Sequence, residues 1–156
     1  MPNQHVWIAG KGPSLLTFNW SQAGPSRLAI NEAAYHVPEL WAAIASDRIM
    51  LQHYERNIPA HVKVFCPRKM ANQLNIVNIE PYTITRCPTV VRALVLMAHK
   101  GFTHFHMIGF DSRFGDDTYA GIKTLAKPAA DYKRVNELAD RTIEDLKLNV
   151  TWEKPA

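Results

Sequence analysis

The sequence predicts an α/β domain with a largely parallel β-sheet, and two observations lead to this fold class. Short apolar segments of β-strand type alternate with helix-type segments along the chain, as they do in proteins with a parallel sheet. The chain has 156 residues, 47% of them hydrophobic and 21% charged, which is typical of one globular domain. This composition excludes an intrinsically disordered chain, and we expect a single domain over residues 1–156.

Seven short segments are predicted as strands because each is an apolar run that stops at a glycine, a proline or a polar residue. In chain order they are residues 5–9, 27–30, 41–46, 62–66, 76–79, 104–108 and 149–152. The first of these segments runs into a glycine-rich turn, after which we expect a short helix or helical turn.

Two helices are predicted from their residue patterns. Residues 89–100 are apolar nearly all round, as expected of a helix packed on a sheet, and Gly101 then acts as the C-cap residue. Residues 131–146 carry apolar side chains at the 3.6-residue period of an amphipathic helix. We therefore expect two long helices in the second half of the chain.

Charge and composition narrow the classes of partner and location. The formal net charge of +4 suits an anionic partner such as a nucleotide, a nucleic acid or a phosphosugar. The basic residues are scattered and no groove-filling motif is present, so nucleic acid is an alternative without motif support. No apolar stretch has the length of a membrane span and the N-terminus lacks a signal peptide, so we expect a cytoplasmic protein with no membrane partner. Cys66 and Cys87 are expected to be free thiols.

Four predicted strands end in a polar or glycine-rich group. These groups are residues 10–14, Asn31, Asp47 and residues 109–111. Because parallel sheets bind ligands outside the carboxyl ends of their strands, we expect the four groups to meet at one edge of the sheet. The alternative is that they are polar only because turns are usually polar.

The glycine turn, Gly10-Lys11-Gly12-Pro13-Ser14, is the strongest chemical signal in the sequence. Two glycines allow a tight turn and a close approach of the backbone to a ligand. The backbone N–H groups that follow can bind a phosphate, to which Lys11 adds a positive charge and Ser14 a hydroxyl that can also cap a helix. The turn is neither a Walker A loop nor a dinucleotide-binding fingerprint, because its spacing and its glycines do not fit either pattern.

A second signal follows the strand at residues 104–108. Gly109 and Asp111 stand directly after it, and Asp111 has three open roles: to bind a ribose or base, to hold Mg²⁺ through water, or to cap a turn. Within the strand, His104 and His106 share one face, which fits a pair of metal ligands. No third ligand is evident, and two polar residues on a partly exposed face explain the pattern equally well.

Three segments carry a family resemblance. Residues 6–15 read as a strand with a Gly-x-Gly-Pro-Ser-Leu turn, residues 29–31 as a strand that ends in asparagine, and residues 101–111 as a helix end, a strand and a Gly-x-Asp signature. These features resemble the Rossmann-type superfamily that contains small bacterial CMP-sialic-acid-dependent sialyltransferases and the 6-hydroxymethylpterin diphosphokinase-like proteins. The resemblance extends to about residue 150 and implies a single-domain, Rossmann-like three-layer sandwich with a mainly parallel sheet.

The resemblance also implies a set of site residues. The nucleotide-binding residues that it implies are Gly10, Lys11, Gly12, Pro13, Ser14, Asn31, Thr89, Gly109, Arg113 and Tyr119. Arg113 and Tyr119 occupy positions at which the sialyltransferases use two tyrosines on the nucleotide phosphate, and arginine suits a phosphate as well. Residues 129–136, where the general base of that family would lie, contain no histidine, so Asp47 and Asp111 are the candidate catalytic bases.

The function that follows is a nucleotide-dependent transferase, most simply a glycosyltransferase-like enzyme of sialyltransferase type with a nucleotide-sugar donor. Sugar transfer of this kind needs no metal in the family that the chain resembles. A pyrophosphoryl transfer would need Mg²⁺, which Asp47 and Asp111 would hold from two strand ends. The third possibility is a protein that binds nucleotides without catalysis, which the missing histidine favours.

Overall fold

The computed structural model describes residues 4–115 and 132–155, and within them it contains a seven-stranded sheet in which every strand pair is parallel. The strand order across the sheet is β5-β4-β3-β2-β1-β6-β7. The predicted α/β class with a parallel sheet is therefore confirmed.

Most elements lie where the sequence predicts them. The strands are β1 (His5–Ala9), β2 (Arg27–Ile30), β3 (Ala42–Ile44), β4 (Lys63–Pro67), β5 (Ile79–Tyr82), β6 (His104–Ile108) and β7 (Asn149–Trp152). The α-helices are α1 (Arg48–Asn57), α2 (Arg68–Ala71), α3 (Thr89–His99) and α4 (Tyr132–Asp145). Short 3-10 helices span Pro13–Leu16, Trp20–Gln22, Asn31–Tyr35 and Asp111–Phe114.

The fifth predicted strand was placed wrongly, and α1 and α2 were not predicted. Instead of residues 76–79, β5 begins at Ile79, which pairs with Val64 of β4, and it includes Pro81. Proline is tolerated there because β5 is an edge strand, where one side of the backbone needs no partner.

The sheet is covered on both faces, which gives three layers. On one face, strand residues such as Ile8 and Ile44 pack with Leu94 of α3 and Ala139 of α4. On the other face, smaller strand residues such as Ala29 pack with α1 and with the 3-10 helices that follow β1 and β2. Alternate residues of each strand point to opposite faces, so each strand contributes to both layers of the core.

The strand order contains one reversal that matters for a site. The chain proceeds outward from β1 to β5, then returns across the sheet to place β6 on the other side of β1. Parallel sheets bind ligands outside the carboxyl ends of their strands at such a switch point. The residues that follow β1 and β6 are the glycine turn and the Gly-x-Asp signature, so the two motifs flank this position.

Candidate functional site

The glycine turn and the residues after β6 are in direct backbone contact. The N–H of Gly12 donates to the carbonyl of Gly109 at 2.6 Å, and the N–H of Gly10 donates to Ile108 at 2.8 Å. A Cβ on Gly12 would lie 2.6 Å from the Gly109 carbonyl oxygen and 2.7 Å from Cγ of Asp111, closer than non-bonded atoms allow. Gly12 is therefore required for the two turns to meet, whether or not a ligand is bound.

Asp111 joins the two turns through both of its carboxylate oxygens. It is 2% exposed, its Oδ2 accepts the backbone N–H of Ser14 at 3.0 Å, and its Oδ1 accepts the Ser14 hydroxyl at 2.5 Å. Pro13 begins the 3-10 helix there, and the Ser14 hydroxyl binds Asp111 instead of capping that helix. The contacts make Asp111 a clamp between the turns, and a catalytic role for it stays a prediction.

Asn31 follows β2 in an unusual conformation. Its backbone φ is 54°, in the left-handed region that residues other than glycine rarely adopt, although asparagine tolerates it best. Its carbonyl accepts a hydrogen bond from the Tyr54 hydroxyl at 2.5 Å, while its Oδ1 is buried with no hydrogen-bond partner among the described residues. A buried acceptor without a partner is costly, so this atom suits a ligand that donates a hydrogen bond.

Lys11 forms an ion pair that the sequence did not predict. Its Nζ lies 2.9 Å from Oε2 of Glu32, and the two side chains are only 12% and 5% exposed. Glu32 was not among the predicted site residues, although a second polar residue directly after Asn31 at a strand end was a signal that could have found it. The positive charge of Lys11, expected to face a phosphate, is balanced here by a buried carboxylate.

Thr89 places the start of α3 at the same edge of the sheet. It is the first residue of this helix, and its Oγ1 lies 2.9 Å from the Oγ of Ser46, which follows β3. The N-terminus of a helix carries a partial positive charge that favours an anion. Ser46 was not among the predicted site residues, and its contact ties the helix start to the strand ends.

Asp47 has a structural task in this arrangement. It is exposed and is the N-cap residue of α1, where its Oδ1 accepts the backbone N–H of Ile49 at 2.8 Å. Aspartate is among the best N-cap residues because it satisfies a backbone donor that the helix itself leaves unpaired. A catalytic role for Asp47 is neither required nor tested by this geometry.

Arg113 is held on the side of the switch point next to β7. Its Nη2 lies 2.9 Å from Oδ1 of Asp140 on α4, and its guanidinium lies 3.8 Å from the centre of the Trp152 ring. The predicted phosphate contact therefore has two partners within the protein. Tyr119, the other predicted phosphate contact, lies outside the described residues.

The histidines of β1 and β6 form an imidazole stack (His5, His104 and His106) at the amino half of these strands. Nδ1 of His5 lies 2.8 Å from Nε2 of His106, and the rings of His5 and His104 stack at 4.4 Å, while the indole of Trp7 lies 4.7 Å from the ring of His106. Burial, and then the charge of His5, lower the pKa of His106. Within residues 4–115 and 132–155, no group of three or more histidine, cysteine or acidic side chains is arranged to hold a metal ion.

The comparisons with known proteins support the fold. No protein-family model and no curated protein sequence matches the chain. Among solved structures, it is similar to the sialyltransferase CstII in complex with a trisaccharide acceptor and CMP, with a TM-score of 0.60, 14% identity and coverage of 96% of this chain and 80% of that chain.

Two further sialyltransferase structures show a similar likeness to this chain. CstII from Campylobacter jejuni in complex with cytidine-5'-monophosphate gives a TM-score of 0.60 at 16% identity, covering 97% of this chain and 80% of that chain. An apo α-2,3-sialyltransferase from Campylobacter jejuni gives a TM-score of 0.58 at 15% identity, covering 96% of this chain and 75% of that chain. The chain therefore has the α/β fold of these sialyltransferases, whereas the pterin-kinase part of the resemblance has no support among these structures. None of the described helices is long and apolar enough to cross a membrane.

Proposed function

We propose that this protein is a nucleotide-dependent transferase of the glycosyltransferase type, which takes a sugar from a nucleotide-sugar donor. The proposal rests on one observation above all: the glycine turn and Asp111 meet at the switch point of the sheet. After the next strand lies Oδ1 of Asn31, which has no hydrogen-bond partner within the part of the chain that the structure describes. The likeness of the fold to sialyltransferases solved with CMP supports a CMP-linked sugar as the first donor to test.

In this proposal the nucleotide lies along the carboxyl edge of β1, β2 and β3. The backbone N–H groups of Gly10, Gly12 and Ser14 already donate within the protein, contrary to the cradle that the sequence predicts, so the phosphate lies beside the glycine turn and near the positive end of α3. A ribose hydroxyl or an amino group of the base donates to Oδ1 of Asn31. Transfer breaks the bond between the sugar carbon and the phosphate oxygen as an acceptor hydroxyl attacks that carbon and gives its proton to a base. The negative charge that develops on the leaving phosphate is stabilised by the dipole of α3, and Arg113 and Tyr119 remain proposed contacts to it.

Between the two candidate bases, Asp47 is the more accessible. Asp111 is buried and both of its oxygens accept hydrogen bonds from Ser14, whereas Asp47 is exposed at the strand edge with one oxygen on the N–H of Ile49. Asp47→Asn separates the two roles of this residue, because asparagine caps a helix as well as aspartate but does not accept a proton. We expect Asp47→Asn to keep the wild-type stability and lose turnover, whereas Asp47→Ala loses turnover and about 1 kcal/mol of stability. Turnover that survives in Asp47→Asn would remove this residue as the base.

Ligand binding is tested by calorimetry and thermal denaturation with CMP, CDP, UDP, GDP, AMP and ATP, each with and without Mg²⁺. A ligand that binds only the native state raises the melting temperature by mass action. We expect CMP to do so, and Asn31→Ala to lose most of the shift. The matched control is Asn57→Ala, which removes an exposed asparagine at the end of α1. A screen in which no nucleotide changes the melting temperature would contradict the proposal.

A non-catalytic nucleotide-binding protein is the second candidate, and one observation favours it. The charged side chains assigned to chemistry each have a partner within the protein: Asp47 caps α1, Asp111 holds Ser14, and Arg113 pairs with Asp140. Release of CMP from CMP-sugar donors, with a saccharide acceptor present, decides between the two candidates. The ATP and Mg²⁺ arms of the binding screen test the pyrophosphoryl-transfer alternative, in which Asp111 would have to give up Ser14 to hold the metal.

A further inference from the structure

The left-handed backbone of Asn31 is held by a contact from outside its own strand. This region is uncommon for a residue other than glycine, even for asparagine, and it persists where the surrounding structure favours it. The bond in place is the one from the Tyr54 hydroxyl to the Asn31 carbonyl, 2.5 Å long. Tyr54 lies on α1, is fully buried and is 23 positions away in the chain, so the contact is a tertiary one.

We propose that Tyr54 is a positioning residue for the nucleotide site, whose hydroxyl holds Asn31 in the left-handed conformation that presents the side-chain amide to the ligand. The inference rests on the proposed function, because it concerns the same site. The Oδ1 of Asn31 is buried without a partner among the described residues, so its direction matters for any ligand that donates to it.

The hydroxyl of Tyr54, and not its ring, carries this role. The ring packs in the core with Met50 and Leu51 of the same helix and with Ala33, and a phenylalanine would fill that space equally well. The carbonyl that the hydroxyl holds belongs to the peptide unit between Asn31 and Glu32. One hydrogen bond therefore fixes the peptide unit that follows the Asn31 side chain. Burial raises the pKa of Tyr54 well above its ordinary value, so the hydroxyl remains a donor at any physiological pH.

Tyr35 provides a matched control in the same region. It ends the 3-10 helix that begins at Asn31, and its ring lies 6.1 Å from the ring of Tyr54. Its hydroxyl, however, lies 2.7 Å from Nδ1 of His53 and does not bind Asn31. Tyr35→Phe therefore removes a tyrosine hydroxyl next to Tyr54 without touching the carbonyl that Tyr54 holds.

The experiment measures CMP affinity by calorimetry in wild type, Tyr54→Phe and Tyr35→Phe, with the folded fraction of each variant taken from urea denaturation. We expect Tyr54→Phe to bind CMP about five-fold more weakly, since one neutral hydrogen bond no longer favours the competent conformer. Tyr35→Phe should bind like wild type. In an Asn31→Ala background, Tyr54→Phe should cause no further loss, because the residue that it positions has lost its amide. Unchanged CMP affinity in Tyr54→Phe, or an equal loss in the Asn31→Ala background, would overturn the inference.

Two readouts separate this inference from the proposed function. The NMR resonances of the Asn31 side-chain amide in the ligand-free protein should move in Tyr54→Phe and stay in place in Tyr35→Phe, whether or not CMP binds to wild type. The reciprocal measurement needs no variant: CMP should slow solvent exchange of the Tyr54 hydroxyl proton, because coupling between two sites acts in both directions. The positioning role of Tyr54 would be contradicted if the Asn31 resonances did not move in Tyr54→Phe. It would also be contradicted if bound CMP left the exchange rate of the Tyr54 hydroxyl proton unchanged. A wild type that does not bind CMP would count against the proposed function alone.

Discussion

The two ends of the β1–β6 strand pair are held together by different chemistry. At the carboxyl end, the carboxylate of Asp111 accepts two hydrogen bonds from Ser14, and Gly12 lets the two turns come into backbone contact. At the amino end, the neighbouring side chains are imidazoles, with His5 and His106 joined through their ring nitrogens. One parallel ladder, which runs from His5–His104 to Ala9–Ile108, thus has a carboxylate clamp at one end and the imidazole stack at the other.

The two ends of the strand pair should therefore respond to different substitutions. The carboxylate clamp depends on close packing around a charged acceptor, so it tolerates little change in size or in hydrogen-bonding pattern. The hydrogen bond between two imidazoles requires one ring to be neutral, because a protonated ring can only donate. We therefore expect substitutions that change side-chain size or hydrogen bonding to destabilise the carboxyl end, and protonation of histidine to destabilise the amino end.

The largest effect is expected for Gly12→Ala. The added methyl group would overlap the Gly109 carbonyl and the Asp111 carboxylate, so the free energy of unfolding should fall by about 2–3 kcal/mol in urea denaturation. The control is Gly115→Ala, where no atom of the described residues, its chain neighbours apart, lies within 4 Å of the added Cβ, but the φ of 91° is left-handed. Backbone strain alone should cost about 1 kcal/mol there. A Gly12→Ala loss no larger than that of Gly115→Ala would show that the turns are not tightly packed.

Asp111→Asn is expected to have the next largest effect. The change keeps the shape of the side chain but turns one acceptor into a donor that faces a donor of Ser14, so we expect a loss of about 2 kcal/mol in the free energy of unfolding. Asp140→Asn is the control, since it removes a mostly exposed ion-pair partner of Arg113 and should cost less than about 1 kcal/mol. Equal stabilities of the two variants would contradict the role of Asp111 as a clamp.

Ser14→Ala should have a smaller effect. The variant loses the hydroxyl bond to Asp111 and keeps the bond from its backbone N–H, so thermal or urea denaturation should show a loss of about 1 kcal/mol. Ser21→Ala removes a comparable hydroxyl bond, to Asn19, at an exposed position and should stay within about 0.5 kcal/mol of wild type. A Ser14→Ala protein as stable as wild type would show that the backbone N–H bond suffices.

The smallest effect is expected from acid at the imidazole stack. Burial, and then the charge of His5, lower the pKa of His106, so the folded state binds the proton more weakly than the unfolded state does. This contribution to stability is complete above the unfolded value of about 6.5 and is lost as the pH falls from there through the folded pKa. Urea denaturation at several pH values should show this loss, and His106→Gln should reduce it.

The control for the acid effect is His99→Gln, which replaces an exposed histidine at the end of α3, outside the imidazole stack, and should leave the loss that His106 causes in place. Two further groups act on His106 through their charge: His104, which also lowers its pKa, and Glu153, which raises it. If the loss of stability in acid is the same in His106→Gln as in wild type, the imidazole stack is not its source.

Much of the fold follows from the sequence because the strand ends are marked by residue type. The predicted bounds of β1, β2, β6 and β7 agree with the structure, since each is an apolar run closed by a polar residue or a glycine. The helix α1 was missed because only three of its ten residues are buried, and its N-cap, Asp47, was interpreted as a site residue alone. A short amphipathic helix with so few apolar positions gives a weak periodic signal.

The site is predictable only in part, for a related reason. Residues 10–14 and 109–111 can be predicted to lie near each other, because both follow the carboxyl ends of parallel strands, which meet at one edge of the sheet. The side-chain partners do not follow, because Glu32 and Asp140 reach Lys11 and Arg113 only once the sheet and α4 are assembled. The sequence shows which charged residues a chain has, but their ion-pair partners depend on the tertiary structure.

The clamp between Ser14 and Asp111 joins positions 97 residues apart in the chain. Contacts over such a separation form slowly, because the chain must lose the entropy of closing a long loop before the contact can stabilise the fold. A nascent chain on the ribosome can therefore pair β1 with β2 long before β6 has been synthesised, and until then one side of β1 exposes unpaired backbone groups that invite association with other strands. The edge on which catalysis is proposed is completed late in biosynthesis, so chaperone demand should depend on how quickly β6 arrives.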